Sequence, residues 1–96
     1  MAPTPVIALP WYHRGDYAAL LELISDPDKM PATYDAWLKR AELTEKQLQK
    51  AGFGVARIWI RPVPFAAWCE GRNVAPDQSA RLTFAGDAVR DLPARC

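Results

Sequence analysis

The residues of this sequence that could do chemistry are few, and three of them lie on one predicted strand. Arg57, Trp59 and Arg61 alternate along residues 53–61, so a strand would place all three side chains on one face. Two guanidinium groups beside an indole ring can stack a planar group and clamp a phosphate or a carboxylate. A structural explanation stays open, in which arginine covers Trp59 by a cation–π contact or Trp59 lies in a dimer interface.

The only histidine, His13, lies in a second aromatic and basic group with Trp11 and Tyr12 before it and Arg14 after it. Its near-neutral pKa would suit a proton shuttle, and the aromatic rings would suit a stacked ligand. The alternative is a loop whose aromatic rings close the end of the core, with His13 at the surface. The predicted ligand-binding set joins both groups and consists of Trp11, His13, Arg57, Trp59 and Arg61.

Two cysteines, Cys69 and Cys96, are the remaining candidates for reactive groups. Cys69 falls late in a predicted short helix beside Phe65 and Trp68, where the helix terminus disfavours a thiolate, so a buried apolar role is expected. No CxxC pair or histidine cluster accompanies either cysteine, and the sequence predicts no metal site. We predict no catalytic residue and no cofactor, which favours a non-enzymatic function.

Composition and charge exclude several classes of protein. The chain of 96 residues has 12 basic and 11 acidic residues, a net charge of +1 and no basic tract, which argues against nucleic-acid binding. The apolar run at residues 6–9 is too short for a signal peptide, and no run approaches the length of a membrane span. A cytoplasmic protein is therefore expected. The preference for Ala, Arg and Pro over Lys and Asn indicates a bacterial source.

Hydrophobic periodicity predicts one domain, residues 1–96, with six elements. The predicted strands are residues 4–9 and 53–61. The predicted helices are residues 16–25, 33–51, 64–71 and 76–92, the last interrupted at Gly86. Asp16 and Thr33 are predicted N-caps, and Gly52 and Gly71 are predicted to end their helices.

These elements predict an α/β (α+β) fold with four helices and a minimal sheet of one or two strands. So small a sheet is marginally stable in water, and Trp59 on its second face needs cover. We therefore expect a homodimer, in which residues 53–61 of two chains pair or their Trp59 faces pack together.

Two segments, residues 30–38 (MPATYDAWL) and residues 65–69 (FAAWC), resemble short bacterial proteins of unassigned function. The resemblance covers the middle two-thirds of the chain. It implies no activity and identifies no catalytic or binding residue.

Three functional hypotheses follow. The first is a non-enzymatic protein-interaction or accessory domain with a protein partner. The second is a module that binds a small molecule or an anionic ligand through the aromatic and arginine residues above, if they line one pocket. The third is an enzyme that uses His13 or Cys69.

Overall fold

In the described part of the chain, two parallel strands form a minimal sheet that is packed with four α-helices. The structure is a computed structural model that describes residues 5–90. The elements, in chain order, are β1 (Val6–Trp11), α1 (Tyr17–Leu23), α2 (Tyr34–Lys50), β2 (Gly54–Trp59), α3 (Pro62–Arg72) and α4 (Gln78–Arg90). This confirms the predicted α+β class with four helices and a minimal sheet.

The strands pair in parallel, from Val6 beside Gly54 to Trp11 beside Trp59. Parallel neighbours need a long crossover connection, which α1 and α2 supply. Because the strands are parallel, their carboxyl ends lie at the same end of the sheet. The residues after Trp11 and those after Trp59 are therefore neighbours in space. Completion of this sheet by a second chain stays a prediction.

β1 extends two residues past the predicted end at Leu9, and it contains Pro10. The carbonyls of Pro5 and Trp11 accept hydrogen bonds from the amides of Gly54 and Ile60, so the odd-numbered residues of β1 direct their main-chain groups at β2. Pro10 therefore lies at a position that faces away from β2, where its missing N–H breaks no ladder bond. The predicted start at Thr4 lies outside the described residues.

Local capping sets both ends of α2, as predicted. The Thr33 hydroxyl oxygen accepts a hydrogen bond from the Ala36 amide at 3.2 Å. Gly52 follows the helix with a φ of +98°, a conformation that favours glycine. The predicted cap of α1 is wrong, because the Asp16 side chain makes no capping hydrogen bond.

α3 begins two residues earlier and ends one residue later than predicted. It begins at Pro62 because a helix leaves its first amides unpaired, so two prolines fit in its first turn. It ends at Arg72, and Asn73 caps it in the left-handed conformation, so the prediction that Gly71 ends this helix is wrong. α4 is continuous through Gly86, and Asp77 begins it by accepting a hydrogen bond from the Ala80 amide at 2.9 Å.

Aromatic side chains dominate the core. Trp11 packs edge-on against Trp37 of α2, with ring centroids 5.2 Å apart. On the α3–α4 side, Phe65 meets Phe84 edge-on at 5.6 Å. The largest fully buried side chains are Trp11, Phe65, Leu20 and Ile60. Burial of such rings contributes most of the apolar stabilisation that so short a chain can reach.

A buried ion pair joins the turn after α1 to α4. The Arg81 guanidinium donates to the Asp26 carboxylate at 2.9 and 3.5 Å, and the Gln78 amide donates to the same carboxylate at 3.0 Å. Only 4% of the Arg81 side chain and 11% of the Asp26 side chain are exposed. Asp26 therefore anchors the first turn of α4 and neutralises a cation in the core.

Candidate functional site

His13 and Trp59 meet at the carboxyl end of the sheet. Their rings stack nearly parallel, with centroids 4.1 Å apart and an angle of 14° between the planes. The strand register explains the contact, since His13 follows β1 and Trp59 ends β2. Trp59 remains 46% exposed, so the stack presents one indole face to its surroundings.

Arg61 lies at the same end of the sheet and holds Asp16. Its Nε donates to the Asp16 carboxylate at 2.5 Å, so the carboxylate predicted to cap α1 is used as an ion-pair partner instead. We name His13, Asp16, Trp59 and Arg61 the strand-end patch. Its positive and negative charges balance, which suits a protein contact better than the capture of an anion.

Arg57 makes its contacts with residues outside the strand-end patch. Its Nε and Nη2 donate to the two Glu45 carboxylate oxygens at 2.8 and 2.7 Å, and its guanidinium lies 4.0 Å from the centre of the Trp11 ring. These hydrogen bonds lower the pKa of Glu45 and raise the pKa of Arg57. Arg57 therefore covers Trp11, whereas the sequence predicted that an arginine would cover Trp59.

The five predicted site residues thus occupy two places. Trp11 is a core residue under Arg57. His13, Trp59 and Arg61 lie in the strand-end patch, where His13 stacks on Trp59 and Arg61 holds the Asp16 carboxylate.

Cys69 lies on α3, and its side chain is buried in the hydrophobic core. Burial raises the pKa of its thiol, which disfavours the nucleophilic thiolate. This environment matches the apolar role that the sequence indicated.

The outer edge of β2 is open. Because the even-numbered residues of β2 direct their main-chain groups at β1, the main-chain groups of Val55, Arg57 and Trp59 point the other way. Within residues 5–90 no other strand pairs with this edge. The edge ends at Trp59, so it is continuous with the strand-end patch.

Sequence reasoning missed a cleft between α2 and α4, at the outer edge of β1. Its volume is about 230 Å³. We name it the α2–α4 cleft. It is lined by Leu9, Pro10, Trp11, Tyr12, Lys29, Met30, Pro31, Trp37, Arg40, Ala41, Thr44, Gln78, Arg81 and Leu82. No single motif marks it, since its lining comes from four separate segments.

The base of the α2–α4 cleft is shielded from water. Trp11, Tyr12 and Trp37 are all buried, and burial raises the pKa of Tyr12 to about 12. The Tyr34 hydroxyl donates to the Tyr12 carbonyl at 2.9 Å and fixes the main chain there.

Residues 5–90 hold no group of three or more histidine, cysteine or acidic residues that could bind a metal ion. Among the same residues, no helix combines the length and the apolar character needed to cross a membrane.

Comparison with protein-family models, with curated proteins and with solved structures found no match to this chain. The resemblance to short bacterial proteins therefore stays a prediction, and the function has to be argued from the geometry.

Proposed function

We propose that this chain is a non-enzymatic protein-interaction domain, and that its first partner is a second copy of itself. The observation that carries the proposal is the open edge of β2, which runs into the half-exposed Trp59. Unpaired strand edges are templates for another strand, and exposed aromatic residues are enriched at protein interfaces.

A second copy fits this edge by symmetry. A two-fold axis beside Arg57, the middle of the three outward residues, would pair the β2 edges antiparallel and extend the sheet to four strands. Each Arg57 would bring its own Glu45, so the two arginines that meet at the axis would add no net charge. The net charge of the whole chain, +1, opposes association only weakly.

The non-enzymatic part of the proposal is supported by how the candidate reactive groups are used. The His13 ring stacks on Trp59, and the Cys69 thiol is buried with a raised pKa. A cytoplasmic location and a bacterial source stay predictions from composition.

The test is the molar mass in solution, measured by light scattering after size exclusion at about 100 µM protein. We expect a dimer for the unaltered chain and a monomer for Trp59→Lys, because the substitution places a charge beside the paired edge in both copies. Val74→Lys is the matched control, since Val74 is 45% exposed and lies after α3, outside the edge.

A monomer for the unaltered chain would overturn the proposed dimer. Equal loss of the dimer in Trp59→Lys and Val74→Lys would show that the contact lies elsewhere.

A further inference from the structure

We infer that the α2–α4 cleft binds a small organic carboxylate, an anion with one apolar ring or short chain attached. The inference is independent of the dimer, because the cleft lies at the outer edge of β1 and the proposed contact at the outer edge of β2.

The charge of the cleft points to an anion. Its lining includes three basic residues, Lys29, Arg40 and Arg81, and no acidic residue. Arg81 is neutralised by Asp26, whereas neither Lys29 nor Arg40 has an acidic partner within 4.0 Å among residues 5–90. Lys29 and Arg40 therefore bring two positive charges to this cleft without an ion-pair partner among the described residues.

The chemistry of the cations narrows the anion. An arginine guanidinium offers a planar set of donors that matches two carboxylate oxygens at once, and lysine adds a flexible point charge. Arg40 and Lys29 come from α2 and from the turn before it, so a carboxylate between them would receive charge from two directions.

The apolar residues of the lining favour an anion that carries an apolar group. Leu9, Met30, Pro31, Trp37 and Leu82 line the cleft beside the cations. A bare inorganic anion would leave the exposed parts of Leu9, Met30, Pro31 and Leu82 in water, whereas a ring or short chain would cover them. The volume of about 230 Å³ is below the range of roughly 300–1,000 Å³ for drug-sized ligands, so one ring or one short chain fits.

The experiment titrates ¹⁵N-labelled protein with benzoate and with 3-phenylpropionate near neutral pH, followed by amide and indole NMR signals. Benzamide is the neutral probe of matched shape, and inorganic phosphate is the anion without an apolar body. The indole N–H signals of Trp11 and Trp37 report on the cleft, and those of Trp59 and Trp68 report on the surface outside it.

We expect saturable binding of the carboxylates with a Kd of about 1 mM, ordinary for ligands of this size. Benzamide and phosphate should bind at least about tenfold more weakly, since each lacks one of the two interactions. Arg40→Gln and Lys29→Gln should each weaken benzoate binding by about tenfold. Lys39→Gln, which removes a charge of α2 outside the cleft lining, should leave the Kd unchanged.

Three results would overturn the inference. They are the absence of saturable shifts at Trp11 and Trp37, equal affinities for benzoate and benzamide, and equal effects of Arg40→Gln and Lys39→Gln. Arg40 is exposed, so its variant should keep the native pattern of indole signals and allow a clear reading.

Discussion

Replacing Asp26 with asparagine should destabilise the protein more than any surface charge substitution. The change keeps a side-chain oxygen for the Gln78 amide but leaves Arg81 charged, buried and without a counter-ion. Removing one partner of a buried pair costs about 3–5 kcal/mol. A chain of this length has a free energy of unfolding of about 5–14 kcal/mol, so the loss is a large fraction of the total.

The assay is urea unfolding followed by circular dichroism near neutral pH. With a denaturant slope of about 1–1.5 kcal/mol per molar urea, a loss of about 3 kcal/mol lowers the midpoint by about 2–3 M. Asp35→Asn is the control, because its partner Arg14 is 64% exposed and Asp35 is 76% exposed. An exposed pair contributes about 1 kcal/mol or less, so this variant should move the midpoint by less than about 1 M.

A double variant separates the charge from the contact. Asp26→Leu with Arg81→Met removes both charges and should be more stable than Asp26→Asn, because no uncompensated cation remains in the core. The reasoning fails if Asp26→Asn costs no more than Asp35→Asn, since the buried pair would then behave like an exposed one.

Two further predictions concern pH and backbone conformation. The hydrogen bond from Arg81 lowers the pKa of Asp26, so the unfolded state binds more protons than the folded state as pH falls through the range between the two pKa values. The unaltered chain should therefore lose stability below about pH 4, and Asp26→Asn should lose less of it, in thermal unfolding from mildly acidic to strongly acidic pH. Gly52→Ala should destabilise the protein by about 1 kcal/mol or more, because the φ of Gly52 is +98°. Gly86→Ala should stabilise the protein by about 0.5–1 kcal/mol, because α4 has open space for a Cβ at this position. Urea midpoints that moved in the same direction in both variants would contradict this.

Features set by neighbouring residues could be predicted from the sequence. Thr33 and Gly52 mark the ends of α2 because a cap acts on amides and carbonyls within a few residues. The alternation of side chains over residues 53–61 identified β2 and its two faces, because this pattern is also set by residues close together along the chain. The parallel pairing of β1 with β2 was not predicted, since its partners are far apart along the chain.

Features set by distant residues were missed. Asp16 has the type and position of a helix cap, yet Arg61, 45 residues away, binds its carboxylate. The ion pair of Asp26 was not predicted either, because its partner Arg81 lies 55 residues away. The α2–α4 cleft was missed for this reason too, because its cations come from segments that only the fold brings together.

The parallel pairing also sets an order of events during synthesis. Val6 pairs with Gly54, so β1 must wait for 48 further residues before its partner begins to emerge. At about 5–20 residues per second, that delay is roughly 2–10 s. During this time the apolar β1 segment has no partner strand. Pro10 lacks an N–H on the side of β1 that faces away from β2 in the folded chain, so the row of hydrogen-bond donors on that side is broken. We therefore expect Pro10 to limit aggregation of the nascent chain.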